Sequence, residues 1–362
     1  MEFAPFVDLL GGEGAQAWEI LTESRLALDR GEDVIVLSIG DPDLETPGFV
    51  VDMAVDALRN GDTHYTELEG RHSLRASIAS KISRSAGVEI EPEQVTVLAG
   101  TQNAFYSACR CLFGLGDEVI VLDPAYVTYE ACIGSTGAQQ VRVEQPAATG
   151  FRPDIEAIER AVTSATRGIV FSNPSNPTGV ALNEDELEAI SRIAVNNDLW
   201  VVVDEVYSDL VFDGVHRSIA GLPGMLERTV TVSSVSKSYA MTGWRCGWAI
   251  GPPELGSHLR KMALINLYGL PGFVMEAADI ALREGAEEIE TARAIYRARR
   301  DLVVKELSRA SDLPVLVPEA GMFLMADVRA HNADANEFAW DLYRATGVSV
   351  LDAGAFGSTS RG

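Results

Sequence analysis

One lysine, Lys237, stands in a run of small hydroxyl residues, and an arginine, Arg245, follows eight positions later. An amine that forms a Schiff base needs a neutral fraction near neutral pH, and nearby positive charge increases that fraction by lowering the amine pKa. Ser234 and Ser236 offer hydroxyl groups to a phosphate, and Arg245 offers a guanidinium fork. The segment therefore predicts a site for a ligand that carries both a carbonyl group and a phosphate.

Pyridoxal 5′-phosphate (PLP) carries an aldehyde and a phosphate, so this segment could hold it at both ends. A lysine after S-x-S is, by itself, also typical of an exposed loop, because short motifs often occur by chance. Two upstream segments favour the cofactor. Residues 173–179 have the sequence N-P-S-N-P-T-G, and Asp204 ends the Val-rich run 199–203. Such a run is typical of a buried parallel strand, whose C-terminal end faces the ligand crevice of an open α/β sheet.

The signatures N-P-T-G, D-x-x-Y and S-x-S-K-x(7)-R begin at Asn176, Asp204 and Ser234. Through them the chain resembles the class I/II aminotransferases of PLP fold type I, from about residue 30 to its end. The resemblance implies an α/β fold in which a large domain has a mostly parallel central sheet flanked by helices, beside a smaller α+β domain. It also implies a ping-pong amino-acid:2-oxo-acid transamination that uses PLP.

The resemblance assigns a role to each motif residue. Lys237 would bind PLP covalently and then move a proton, which makes it both nucleophile and base. Asp204 would pair with the pyridine nitrogen and keep it protonated, whereas Asn176 and Tyr207 would hydrogen-bond the phenolic oxygen. Tyr126 would stack on the pyridine ring, although an ordinary core aromatic explains that residue equally well. Lys237, Asp204 and Tyr207 are the predicted catalytic residues.

The phosphate site is predicted from distant segments. Gly100 permits a turn from strand into helix, and the backbone N–H groups of Thr101 and Gln102 would face an anion at the helix N-terminus. A G-T-Q sequence is otherwise typical of a simple turn. The rest of the predicted phosphate site is Ser234, Ser236 and Arg245.

Two further segments resemble family motifs around the substrate. In G-D-P-D-L-E-T-P, residues 40–47, the resemblance places the backbone of Gly40 beside the substrate, with Asn176 as a second substrate contact. In H-Y-T-E-L-E-G, residues 64–70, it directs Tyr65 to the phosphate of the other subunit. Tyr65 therefore implies a homodimer with shared active sites, whereas without the resemblance both segments are turn-forming sequences.

The 362 residues exceed the usual size of one hydrophobic core. We expect an N-terminal arm at 1–45 that belongs to the small domain, a large PLP-binding domain at 46–260 and a small C-terminal domain at 261–362. Helical patterns alternate with apolar strands, which predicts a mostly parallel sheet. The predicted strands are 34–39, 95–99, 118–122, 140–144, 168–172, 199–204, 229–233, 247–250 and 321–327. The predicted helices include 14–30, one after Pro253, and 293–311.

The net charge of −24 argues against nucleic acid or an anionic membrane as a partner, since both demand a basic face. The N-terminus lacks a basic segment followed by an apolar core, and no apolar run is long enough to span a membrane. The cysteines and histidines show no metal-binding spacing, so no metal is predicted, and the thiols are expected to be reduced. These features predict a cytoplasmic enzyme.

The C-terminus departs from the family pattern. The family's arginine for the substrate α-carboxylate lies shortly after A-F-G, which here is 355–357, and Arg361 lies too early to match it. The sequence therefore does not identify the carboxylate-binding residue. We expect the small domain to be incomplete at its C-terminus, either because a disordered tail is omitted or because the protein is truncated. We favour the omitted tail, because loss of an amphipathic helix would expose apolar core. The segment 351–354 also differs from the usual family turn.

Within the family, the chain resembles the bacterial arginine–pyruvate transaminases, notably over 126–130, 236–238, 241–245 and 267–273. This predicts L-arginine, or another basic amino acid, as donor and pyruvate as acceptor. Glu13, Glu19 and Glu69 are candidate partners for the guanidinium group. Other PLP reactions on this fold remain open: a Cβ–S lyase, or an oxidase or cyclase acting on arginine. A PLP-binding regulatory module is a rival of another class, but it would need a basic winged-helix segment, which this sequence lacks.

Overall fold

The computed structural model describes Val7 and residues 17–362. Its helices are α1 Glu19–Asp29, α2 Gly48–Arg59, α3 His72–Ala86, α4 Gly100–Leu112, α5 Tyr129–Gly134, α6 Ile155–Ala161, α7 Glu184–Asn196, α8 Pro253–Asn266, α9 Gly272–Glu284, α10 Ala286–Ala310 and α11 Ala335–Thr346. Its strands are β1 Ile35–Val36, β2 Val95–Leu98, β3 Glu118–Asp123, β4 Gln139–Glu144, β5 Thr166–Ser172, β6 Trp200–Asp204, β7 Thr229–Ser234, β8 Gly247–Ile250, β9 Val315–Leu316, β10 Met325–Ala326 and β11 Val348–Ser349.

The central sheet has the strand order β2-β8-β7-β6-β5-β3-β4. The neighbouring strands from β7 to β4 all run parallel. Strand β8 runs antiparallel to both β7 and β2. This mostly parallel sheet, flanked by helices, confirms the predicted α/β fold, with β8 as the antiparallel exception.

The Val-rich β6 is buried on both faces of the sheet. Val202 packs in one cluster with Phe105 of α4, whereas Val201 and Val203 pack in another cluster with Ile190 of α7. Alternate side chains of a strand point to opposite faces, so a strand covered by helices on both sides must be apolar throughout. Each fully buried valine contributes roughly 1.5–3 kcal/mol to folding. This burial fixes the position of Asp204 at the end of β6.

A second core lies beside the sheet, where α9 packs against α2 and α3. It contains Val50 from α2, Leu74 and Ile78 from α3, and Val274 and Met275 from α9.

Elsewhere, β1 pairs with β11 in parallel and β9 pairs with β10 in antiparallel orientation. The proposed division of the chain near residues 46 and 260 stays a prediction.

The shortest strands differ most from expectation. Within the predicted strands 34–39 and 321–327, only the two-residue strands β1 and β10 form, because each pairs with a single two-residue partner.

Helix α10 begins seven residues before the predicted start at 293. Acidic residues in its first turn, Glu287 and Glu288, favour the helix N-terminus. Of the helix predicted at 14–30, residues 14–16 lie outside the described residues, and α1 covers 19–29.

Among the described residues, none of the helices combines the length and the apolar character that crossing a membrane requires.

Candidate active site

The three signature segments meet at one edge of the central sheet. The ladder pairs Ser172 of β5 with Asp204 of β6, and Asp204 with Val232 of β7. Asn176 follows β5, and Lys237 follows β7 within a few residues. Because the C-terminal ends of neighbouring parallel strands share one edge, these side chains converge on the crevice where such sheets bind ligands.

Asp204 is a buried carboxylate, 8% exposed. Burial raises its pKa to about 6, although two hydrogen bonds and the nearby Lys237 favour the charged form. The backbone N–H of Val206 donates to Oδ1 at 3.0 Å, and the Tyr129 hydroxyl donates to Oδ2 at 2.9 Å. A buried carboxylate of this kind calls for a cationic partner, which a protonated ring nitrogen can supply.

Tyr129, the donor to Asp204, is not among the site residues predicted from the sequence. Its ring stacks on Phe105 with centroids 4.2 Å apart and meets the edge of Tyr126 at 5.8 Å. Burial raises the pKa of the Tyr129 hydroxyl well above its usual range, so it remains a donor. The Y-x-x-Y spacing was the available signal that the two tyrosines lie together, because it spans a turn closed by the bond from the Tyr129 N–H to the Tyr126 oxygen, 3.0 Å long.

Lys237 is half-buried, and its Nζ donates to the backbone oxygen of Gly40 at 2.5 Å. Burial lowers the pKa of this amine, while the charges of Asp41 and Asp204 oppose the decrease. The hydroxyl of Tyr207 lies 3.8 Å from the position that a Cβ on Gly40 would take. The fold therefore brings Gly40, predicted as a substrate contact, into the same pocket as Lys237 and Tyr207.

Tyr207 is buried, and its ring meets Phe323 edge-on with centroids 5.1 Å apart. Burial raises the pKa of its hydroxyl far above the usual value. Met322 reaches the same place, since its Sδ lies 4.0 Å from the position of a Cβ on Gly40. Sequence reasoning missed Met322 and Phe323, because their segment carries no motif beyond an apolar run.

Half-buried Asn176 is held by a hydrogen bond from its backbone N–H to Ser172 Oγ, 3.1 Å long.

Two glycines bring the backbone of α4 against the Lys237–Arg245 loop. Gly100 opens α4 with φ +79°, and a Cβ there would overlap the guanidinium of Arg245. A Cβ on Gly247 would overlap the carbonyl carbon of Gly100. Only glycine fits either position. Gly247 was not predicted, because the close approach joins segments far apart in the chain.

Hydroxyl, amide and guanidinium donors surround this glycine contact. Thr101 Oγ1 and Ser234 Oγ lie 2.9 Å apart, and the backbone N–H of Ser236 donates to Ser234 Oγ at 3.3 Å. Arg245 is exposed and donates to the backbone oxygens of Thr242 at 2.6 Å and Ala99 at 3.3 Å. The first N–H groups of a helix have no partner within it. Together these groups form a donor set suited to a phosphate, so the residues present fit PLP at both ends.

Gln102 and Tyr126 flank the same donor set. Gln102 accepts a hydrogen bond from Thr128 at 2.8 Å and donates to Cys132 Sγ at 3.2 Å, which ties the start of α4 to the Tyr126 turn. Burial, and then the charge of Asp204, raise the pKa of half-buried Tyr126. The Tyr126 ring meets Tyr129, the hydrogen-bond donor to Asp204, edge-on at a centroid distance of 5.8 Å.

Tyr65 differs from the other predicted residues, because it is 83% exposed. Its ring contacts Tyr268 at a centroid distance of 4.8 Å.

Of the candidate guanidinium partners, Glu69 pairs with Arg260 at 3.0 Å, so its charge is already compensated within the chain. Glu19 lies exposed in the first turn of α1, and Glu13 lies outside the described residues.

Comparison with known proteins agrees with this geometry. Residues 32–362 match the family Aminotransferase class I and II. The chain is 44% identical to an arginine–pyruvate transaminase of Pseudomonas aeruginosa, over 100% of this chain and 92% of that protein. It is 34% identical to an aspartate aminotransferase of Pyrococcus abyssi, over 91% of this chain and 86% of the relative. The solved aspartate aminotransferase of Thermus thermophilus with maleate superposes with a TM-score of 0.93 at 31% identity, covering 98% of this chain and 92% of that one. The chain therefore belongs to the class I and II aminotransferases, which are PLP-dependent enzymes.

Proposed function

We propose that this enzyme transfers the amino group of L-arginine, or of another basic amino acid, to pyruvate. The observation that carries the chemistry is the convergence of Lys237, Asp204 and the Gly100–Arg245 contact at one sheet edge. The substrate assignment is supported by the 44% identity, over the whole chain, to a protein named as an arginine–pyruvate transaminase. The acidic chain, with net charge −24, suits a cationic donor but gives weak support.

When bound, PLP supplies an aldehyde for the substrate amine and an electron-withdrawing ring. Lys237 is the residue that would hold the cofactor, and its amine would then move the proton from the substrate Cα to the aldehyde carbon of the cofactor. Its burial lowers the amine pKa, which increases the neutral fraction that a base requires. The oxygen of Gly40, 2.5 Å from Nζ, orients the amine toward the substrate side of the pocket.

Asp204 would hold the proton on the pyridine nitrogen, and Tyr129 holds Asp204 in place through its hydroxyl. Tyr207 and Asn176 would bind the phenolic oxygen from the neighbouring strand ends, and Asn176 would also contact the substrate. Tyr126 would cover the ring. Binding of the phosphate falls to Gly100, Thr101, Gln102, Ser234, Ser236 and Arg245, which supply helix N–H groups, hydroxyls and one guanidinium.

The active species in this proposal is a cytoplasmic homodimer with shared active sites. Support comes from Tyr65, whose ring is largely exposed in one chain and so is free to reach a neighbouring subunit. Sedimentation at micromolar concentration should give a dimer that carries the activity. An active monomer under the same conditions would contradict the shared site.

A donor panel tests the substrate assignment. With pyruvate as acceptor, L-arginine, L-lysine, L-aspartate and L-phenylalanine are compared by kcat/KM and by alanine formed. We expect L-arginine to give the highest kcat/KM and one alanine for each arginine consumed, because transamination conserves the amino group. A better aspartate or phenylalanine would refute the arginine proposal while leaving the family assignment intact. Consumption of arginine without alanine would instead indicate an oxidase or cyclase.

A further inference from the structure

A carboxylate outside the motifs, Asp209, joins two loops of the site. It lies in the single helical turn Ser208–Leu210, shortly after Asp204 and Tyr207. Its Oδ2 accepts a hydrogen bond from Lys81 Nζ at 2.6 Å and another from Ser238 Oγ at 2.6 Å. Ser238 directly follows Lys237, so one carboxylate oxygen bridges the Asp204–Tyr207 loop and the Lys237 loop.

The surroundings make these contacts strong. The side chains of Lys81 and Asp209 are only 17% and 21% exposed, and Ser238 is 4% exposed. Lys81 also lies over the ring of Tyr239, 5.3 Å from its centroid, which fixes the ammonium group from a second side. Hydrogen bonds to charged groups are shorter and stronger than neutral ones, and partial burial shields them from water.

We propose that Asp209 is a positioning residue that sets where Lys237 stands relative to Asp204 and Tyr207. Consecutive Cα atoms are separated by a fixed distance of about 3.8 Å, so holding the side chain of Ser238 restrains the backbone of Lys237. Proton transfer depends steeply on placement, and a displacement of about 1 Å can lower a rate by about a hundredfold. Lys81 compensates the charge of Asp209 and keeps its oxygen available to Ser238. The inference rests on the proposed role of Lys237.

The test compares Ser238→Ala, Asp209→Ala and the double variant, each loaded with PLP. The readouts are kcat, the primary isotope effect with α-deuterated L-arginine, PLP affinity and thermal midpoint. If arginine is not a donor, α-deuterated L-alanine replaces it, because alanine is the product of pyruvate amination. We expect each single variant to lower kcat by about tenfold to a hundredfold and to increase the isotope effect. PLP affinity should change little, since the phosphate donors are untouched.

The double variant should be no slower than the worse single variant, because both substitutions break the same link. Ser77→Ala is the matched control. Ser77 lies on α3, as Lys81 does, and its hydroxyl donates to a carboxylate, Asp279, at 2.5 Å, but that contact leads to α9. It should lose stability like Ser238→Ala while kcat and the isotope effect stay at wild-type values.

Two results would overturn the inference. One is a folded Ser238→Ala enzyme whose kcat is within about twofold of wild type with an unchanged isotope effect. The other is a double variant in which the two losses multiply, since independent effects indicate no shared link. If Asp209→Ala fails to fold, the kcat and isotope effect of Ser238→Ala alone test the inference, because that substitution removes a single oxygen and leaves the charged pair in place. If Lys237→Ala is active, the proposed role of Lys237 itself is wrong. If Lys237→Ala is inactive while Ser238→Ala has normal activity, only the positioning role of Asp209 is wrong.

Discussion

The cofactor edge and the entrance surface are built differently. The cofactor edge, formed by the ends of β5, β6 and β7 and the start of α4, contains buried groups such as Asp204, Ser234 and Gly100. The entrance surface is the loop 41–46 that follows Gly40, in which Asp41, Asp43 and Glu45 are exposed and the other three residues are half-buried. Its ion pair between Asp43 and Arg299 joins side chains that are both about half exposed, and such pairs contribute little.

This difference suggests a division of labour. The sheet holds the cofactor edge rigidly, so the chemistry common to the family can be encoded in short motifs at strand ends. The entrance surface can vary without disturbing the sheet, which suits it to selecting among amino donors. Substitutions at the cofactor edge should therefore alter catalysis or cofactor affinity for every donor. Substitutions at the entrance surface should alter the ranking of donors.

The largest expected effect follows from removing the charge of Asp204. Asp204→Ala should lower kcat with every donor by several orders of magnitude, on the scale of a lost buried charge pair, about 3–5 kcal/mol. PLP affinity should fall less, because the phosphate donors remain. Steady-state kinetics with Asp204→Asn as a companion variant separates charge from shape, and both variants should be similarly slow. Near-normal turnover in either would remove Asp204 from the mechanism.

A smaller effect is expected at the glycine contact. Gly100→Ala should weaken PLP binding by about tenfold to a hundredfold, because the new Cβ displaces the Arg245 guanidinium. Gly116→Ala is the matched control, since Gly116 has a comparable φ of +92° and no atom within 4 Å of an added Cβ. Both variants carry the same backbone strain, about 1–2 kcal/mol. Equal PLP affinities by fluorescence titration would show that strain alone explains Gly100.

The last expected effect concerns the stability of the cofactor-free protein and leaves catalysis aside. Burial raises the pKa of Asp204 in the folded protein to about 6, whereas an aspartate in an unfolded chain has a pKa of about 3.9. The folded state therefore retains a proton that the unfolded chain releases, so stability should fall by about 2–3 kcal/mol as pH rises from 4 to 6 and then level off. Thermal unfolding of cofactor-free Asp204→Asn should show its stability advantage over wild type growing across this window. A constant difference from pH 4 to 8 would contradict the assigned cause.

The central strands and the motif residues could be predicted from sequence for a physical reason. Apolar runs buried on both faces mark β3, β5, β6 and β7, and the polar residues after them must lie at one edge. The contacts of Tyr129, Gly247 and Asp209 could not be predicted. Each joins segments that are remote in the chain, and no local periodicity records which remote group a side chain will meet. The two-residue strands β1 and β10 were also overestimated, because their length depends on the partner strand.

The central claim is that Lys237 is the residue that carries the cofactor. The chain has few lysines, and the others are Lys81, Lys261 and Lys305. Borohydride reduction of the PLP-loaded enzyme makes the attachment permanent, and peptide mapping then identifies the modified lysine. We predict that the phosphopyridoxyl group is found on Lys237 and that Lys237→Ala loses both the label and the visible absorption of the bound cofactor. A label on Lys81, Lys261 or Lys305, with Lys237 unmodified, would contradict the account.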